Sequence, residues 1–305
     1  MQDPLAQRSA IVTGGARGIG LAIAQTLGLL GARVLIVDNG AALDGGPEDP
    51  AVTELAAARV PGAVGVSIDA AAPGAARDAV EAALGAFGGV DLLVNNAAIE
   101  RDLPVEALER ADLERVLGTN LVAPFAFAAA VAPVLRSQAA AGRRPGAIVN
   151  LVSSSALYGR AGRAAEAASK AGLIALTRTL AQELAPIRVG CNAVVPFAGT
   201  RAIRAMPDRG PAHDAFRDRT AALSAAPVAN LVAFLASPQA AGISGQVLGA
   251  RGREVFVWSA ARPGASCFPP RAFDADEYAQ AISALRRHWV DLSDDADAFG
   301  DEPVV

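Results

Sequence analysis

Thr13-Gly14-Gly15-Ala16-Arg17-Gly18-Ile19-Gly20 follows an apolar run at residues 8–13 and opens a helical pattern reaching about residue 30. A second apolar run covers residues 33–38. Strand, glycine-rich turn, helix and strand in that order make a parallel βαβ unit. The glycines let the backbone turn tightly and approach a pyrophosphate, while the helix N-terminus supplies free N–H groups and positive potential. Gly14, Gly18 and Gly20 stand where such a turn needs them, with Thr13, Arg17 and Ile19 beside them. Asp38 ends the second strand, 18 residues past the last glycine. A carboxylate there accepts hydrogen bonds from ribose hydroxyls and repels a 2′-phosphate, which favours NAD over NADP. Arg17 is the counter-indication, since an arginine in this turn could face a 2′-phosphate; its other reading is an exposed helix-cap residue.

Outward from this unit the pattern repeats. After a long Gly/Asp/Pro loop at residues 39–50, helical segments are expected at residues 52–59, 75–87, 108–136, 163–184 and 228–236. Strands are expected at residues 63–68, 90–95, 147–152, 187–194 and 245–250. Residues 201–219 read as an irregular, charged cover over a site. Alternation of this regularity implies one α/β domain, a doubly wound Rossmann-type fold with a parallel sheet of about seven strands. That domain is expected over residues 1–259. Residues 260–305 form a C-terminal extension, Pro-rich, then helical over residues 276–289, then acidic. It is expected to pack on the same domain or at an oligomer interface.

With 305 residues, 52% of them hydrophobic, the chain can bury one large core. A net charge of −4 offers no basic surface for nucleic acid. Cys191 and Cys267 read as reduced thiols in a cytoplasmic protein, and no signal peptide is read at the N-terminus. The apolar segment at residues 121–135 contains Pro124 and Pro133, is too short to span a bilayer, and reads as a buried helix. Neither a membrane nor a metal is expected as a partner.

Ser153 is followed 13 residues later by Glu166 and then, four further on, by Lys170. Together with the glycine-rich turn, this segment resembles the short-chain dehydrogenase/reductase family, whose Ser, Tyr and Lys have that spacing. The resemblance covers about residues 5–250, and Glu166 stands where the Tyr belongs. It implies that Asn120, in Gly118-Thr119-Asn120-Leu121, supports a proton relay, that Ser153 orients a substrate carbonyl, and that Lys170 holds the nicotinamide ribose. It further implies that Asp69 contacts adenine, that Asn95 and Ala97 in Asn95-Asn96-Ala97-Ala98 border the cofactor, and that Pro196 and Thr200 do so after the sixth strand. Ala98 and Phe197 stand where the family carries glycine. Phe197 puts nicotinamide binding in question, because a Phe enters the left-handed region only at a cost and adds a ring; alternatively the ring turns outward.

The loop at residues 38–50, the Leu157-Tyr158-Gly159 turn and the extension resemble the branch related to 3-hydroxyacyl-CoA dehydrogenases. That implies a 3-hydroxyacyl or 3-oxoacyl thioester as ancestral substrate, and pairing through helices at about residues 112–136 and 163–184. A phenol can donate a proton to the alkoxide formed by hydride arrival. A glutamic acid has an ordinary pKa near ~4.3, and a lysine one turn away favours its ionised form further. Three functions are open. The first is a redox-impaired subunit, in a homo-oligomer or paired with an active homologue. The second is a non-redox enzyme using Glu166 for proton transfer, dehydration or cyclisation. The third is a working NAD-dependent oxidoreductase with a displaced acid, such as water or Tyr158.

Overall fold

The computed structural model describes residues 4–46, 48–259, 275–286 and 294–305. Its centre is a sheet of eight strands in the order β3-β2-β1-β4-β5-β6-β7-β8. The first seven are β1 (Ser9–Thr13), β2 (Arg33–Asp38), β3 (Ala63–Ser67), β4 (Leu92–Asn95), β5 (Ala147–Leu151), β6 (Gly190–Phe197) and β7 (Val247–Arg251). These pair parallel throughout. The central strands β1, β4 and β5 are buried at every position, as a sheet covered on both faces requires. The sequence order reverses between β1 and β4, and ligands in open α/β sheets bind at the carboxyl ends of the strands flanking such a switch.

The eighth strand, β8 (Glu254–Trp258), is antiparallel to β7 and was not expected from the sequence. Gly252, at φ +56°, turns the chain between them. One face of β8 packs Phe256 and Trp258 inward, while Val255 and Val257 remain exposed.

One layer of helices holds α1 (Gly18–Leu29), α2 (Ala51–Ala57) and, from further along the chain, a helix at Ala226–Ala236. The other face is covered by α3 (Ala75–Phe87) and α5 (Ala123–Ala140), while α4 (Arg110–Leu117) between them packs Val116 against Ile99 and Ala165. Between α4 and α5, Gly118–Val122 is wound as a π-helix, a local widening often found at functional sites. The apolar segment at residues 121–135 is part of a longer helical run, Arg110–Ala140, which by length and composition alone could cross a membrane. In this fold it lies across the sheet, with Phe127, Ala128, Val131 and Leu135 buried.

After β5 come a short helix α6 (Ser155–Tyr158) and the long α7 (Ala164–Glu183). After β6, the stretch expected to be irregular contains two helices, α8 (Arg201–Arg204) and α9 (Pro211–Ala221). The helix at Ala226–Ala236 is therefore α10, and the extension supplies α11 (Ala275–Leu285) and α12 (Asp295–Ala298). Cys267 and part of the helix expected at residues 276–289 lie outside the described residues.

Candidate active site

A groove of about 880 Å³ runs along the carboxyl ends of the strands, from Asp69 past Gly18 and Lys170 to Phe216 and Asp295. The glycine-rich turn forms its floor. Gly14 and Gly18 adopt left-handed φ values of +61° and +53°. At Gly20 an added Cβ would lie 2.1 Å from the Gly14 carbonyl oxygen, so only glycine lets the helix begin this close to the turn. Thr13 does not line the groove. Its buried hydroxyl accepts hydrogen bonds from the backbone N–H groups of Asn96 and Ala97, which ties the turn to the end of β4.

Arg17, Ile19, Asp38, Asp69 and Ala97 all border the groove. The Asp38 carboxylate accepts from the backbone N–H of Ala16 (3.0 Å) and of Gly40 (2.8 Å), so it is held at the strand end. Arg17 donates to the Ala41 carbonyl. Arg201 also borders the groove, near enough to Arg17 and Asp38 to feel both charges; burial, then Arg17, lowers its pKa, and Asp38 opposes them. Sequence reading did not single out Arg201, and its place in a charged loop gave no signal.

Asn95 corrects the expectation of a cofactor contact. Its side chain turns into the sheet interior, where its amide donates to Asn150 (2.8 Å), which donates in turn to Thr177. Pro196 and Thr200 border the groove, and the Thr200 hydroxyl caps α8 by accepting from the Ile203 N–H. Phe197 does not enter the left-handed region. Its ring is buried against Phe299 (4.6 Å between centroids) and Phe256 (6.4 Å). The ring thus packs into an aromatic cluster beneath the C-terminal tail, and Phe197 borders the groove without the expected strain.

Asn120 sits in the π-helical turn, fully buried, and clamps Ile99 by accepting from its N–H and donating to its carbonyl. Lys170 is buried and donates to the Leu151 carbonyl at 2.9 Å. Burial lowers its pKa, while Glu166 and Glu100 pull it up.

Glu166 projects from the first turn of α7 and is buried. Its direct partners are not Lys170, as the spacing suggested, but the Arg163 guanidinium (3.1 Å) and the Ser155 hydroxyl (3.1 Å). Arg163 also binds Glu100 (2.9 Å) and Asp102 (2.8 Å), so one buried guanidinium gathers three carboxylates. The carboxylates raise the Arg163 pKa even against burial, which acts the other way. Glu100 keeps 23% of its side chain exposed and borders the groove. Burial foremost, opposed by Arg163 and then reinforced by Glu166 and Asp102, pushes its carboxyl up to about 7. Glu100, Asp102 and Arg163 escaped the sequence reading as a cluster, because they are some 60 residues apart and meet only in three dimensions.

Ser153 and Ser155 lie 2.9 Å apart, Oγ to Oγ. The Ser155 hydroxyl donates to Glu166, and a hydroxyl has one hydrogen. That assigns the hydrogen between the two serines to Ser153, which donates it to Ser155 and accepts in turn from the Ser155 backbone N–H (3.3 Å). Tyr158 is also elsewhere: its hydroxyl accepts from the Trp258 indole N–H (3.2 Å) and its ring packs edge-on to Phe299. At the far end of the groove, Asp295 accepts from Ser154 (2.6 Å) and Arg160 (2.6 Å), both buried.

The family model described as enoyl-(acyl carrier protein) reductase matches residues 14–252, and the chain belongs to the short-chain dehydrogenase/reductase family. It is 35% identical over 253 residues to 3-oxoacyl-(acyl-carrier-protein) reductase FabG of Vibrio cholerae, spanning 80% of this chain and 95% of that protein. It is also 35% identical over 258 residues to hydroxyacyl-CoA dehydrogenase ChsB1 of Mycobacterium tuberculosis, spanning 84% of this chain and 80% of that one. Among solved structures, a short chain dehydrogenase from Mycobacterium avium superposes with a TM-score of 0.80 at 28% identity, covering 95% of this chain and 98% of the other. The 3-ketoacyl-(acyl-carrier-protein) reductase of Brucella melitensis, in complex with NADH, gives 0.72 at 31% identity, covering 80% and 97%.

Proposed function

We propose that this chain binds NAD along the groove, is redox-impaired, and works as a subunit beside an active homologue acting on 3-oxoacyl or 3-hydroxyacyl thioesters. The relatives' activities supply the substrate class. One arrangement carries the impairment: Glu166 accepts from the Ser155 hydroxyl, and Ser155 pairs with Ser153 at 2.9 Å, so that the Ser153 hydrogen is engaged within the protein. A carbonyl substrate needs a donor at Ser153 and a proton at the family's Tyr position. Here the first shows it lone pairs, and the second is a carboxyl group pinned by Arg163. Losing a general acid costs roughly 100- to 10,000-fold in rate.

Asp38 supports NAD over NADP, while Arg17 and Arg201 beside it are the groups that would receive a 2′-phosphate. For pairing, α5 and its approach present Val122 and Phe125, about 60% exposed, on the run expected to meet a partner subunit. Cys191, buried and free with its thiol pushed up to about 12 by burial, fits a reducing cytoplasm. The test is to titrate the purified chain with NADH and NADPH, then assay acetoacetyl-CoA reduction by it and by Glu166→Tyr. Tighter NADH binding, negligible reduction by the unaltered chain and a gain in the variant are expected. Ordinary turnover by the unaltered chain overturns the reading.

A second reading is a non-redox enzyme working by acid–base transfer on the same thioesters. The raised carboxyl of Glu100, at the groove wall beside the Glu166 cluster, favours it. Tyr158 as a displaced redox acid finds no support, since it faces Trp258 and Phe299.

A further inference from the structure

We infer that Glu100 is a proton-donating catalytic residue of this site, acting with Glu166 as its base partner in the dehydration of a 3-hydroxyacyl thioester. The inference rests on the second reading above, acid–base use of the centre, and adds to it the identity of the acid.

The geometry is a charge count with directions attached. Glu100, Asp102 and Glu166 surround Arg163, and Lys170 is the other cation whose charge reaches Glu100 and Glu166. Three carboxylates against two cations leave one negative charge in excess, which a single proton removes. Hydrogen bonding decides where it sits. Glu166 accepts from two side-chain donors, Arg163 and Ser155. Among the described residues Glu100 has one side-chain donor, the Nη2 of Arg163, which it shares with Asp102. Two carboxylates stand beside it, and its pKa is raised to about 7. The proton therefore rests on Glu100, the member of the pair more open to the groove. Both carboxyl groups hang from one guanidinium, on Nη2 and Nη1, which fixes acid and base relative to each other.

The Ser153 hydrogen, engaged by Ser155, fits the substrate. A 3-hydroxyl group donates to the Ser153 lone pair that the Ser155 N–H leaves open, which a ketone cannot do. In the forward step Glu166 takes the C2 proton, the electron pair forms the C2–C3 double bond, and the C3–O bond breaks. Glu100 gives its proton to the departing hydroxyl, which leaves as water. The product is a 2-enoyl thioester, and no oxidant or reductant is consumed.

The test incubates the full chain with 3-hydroxybutanoyl-CoA and follows enoyl formation against pH. The expected rate falls as pH rises through about 7, where Glu100 loses its proton. Glu100→Gln is expected to lower kcat at least ~100-fold with KM little changed and to abolish that limb. Glu100→Asp, which keeps the carboxyl, retains the limb and part of the rate. If the chain dehydrates the substrate and Glu100→Gln stays within threefold with NADH binding intact, the role of Glu100 is overturned and the acid–base reading survives. If the unaltered chain forms no enoyl product, both fall. Carbon-13 carboxyl titration gives an independent check: a Glu100 midpoint in the ordinary carboxylate range also overturns the proposal.

Discussion

A serine hydroxyl carries one hydrogen, and in this site a single carboxylate decides where two of them point. The same cluster makes stability depend on pH at Glu100. A carboxyl whose pKa is higher in the folded than in the unfolded chain binds more protons when folded, between the two values. Stability therefore falls as pH rises from the ordinary 4.5 to about 7. Glu100→Gln imitates the protonated form at every pH. Its melting temperature should match the unaltered protein below pH 4.5 and exceed it at pH 8, read by differential scanning fluorimetry. Parallel curves across that range would show that Glu100 carries no raised pKa.

At the scale of elements, the parallel strands were legible because each is a short apolar run between turn residues, and the glycine-rich turn announced the first βαβ unit. Glu166, Lys170 and Ser153 were singled out by a spacing that has meaning only through the family resemblance. The rest was hidden for identifiable reasons. β8 was missed because Arg251-Gly252-Arg253-Glu254 reads as a polar linker, whereas Arg251 is buried and bonds Glu254 across the hairpin. The π-helical turn at Asn120 leaves no mark on apolar periodicity. Glu166 was assigned to Lys170 because one turn of helix separates them, and the guanidinium at Arg163, three residues away, won instead. This element-level choice is measurable. Arg163→Ala strands buried carboxylates without a counter-charge and should cost about 3–5 kcal/mol in urea unfolding. Adding Glu166→Ala removes one of those carboxylates, so the double variant should be more stable than the sum of the two single losses predicts. Strict additivity would separate Arg163 from Glu166 energetically.

Across the whole molecule, the C-terminal tail joins the last hairpin to the segment that follows β5. Phe299 sits at the middle of the contact, with its ring centre 4.6 Å from Phe197, 5.6 Å from Phe256, 5.9 Å from Tyr158 and 6.2 Å from Trp258. One turn earlier, Asp295 binds Ser154 and Arg160. The aromatic ring that the family pattern lacks at residue 197 thus has its partner in the tail, more than 100 residues on. Truncating a buried aromatic costs about 3–5 kcal/mol, through lost transfer energy and the cavity left behind. Phe299→Ala should lower the unfolding free energy measured in urea by that amount. The cofactor floor rests on β1, β2 and α1, at the other side of the sheet from β7 and β8, so NADH affinity below the transition should change less than threefold. A large loss of NADH affinity with little loss of stability would mean that the tail shapes the cofactor half directly, and that Phe197 and Phe299 form part of the binding wall, not its support.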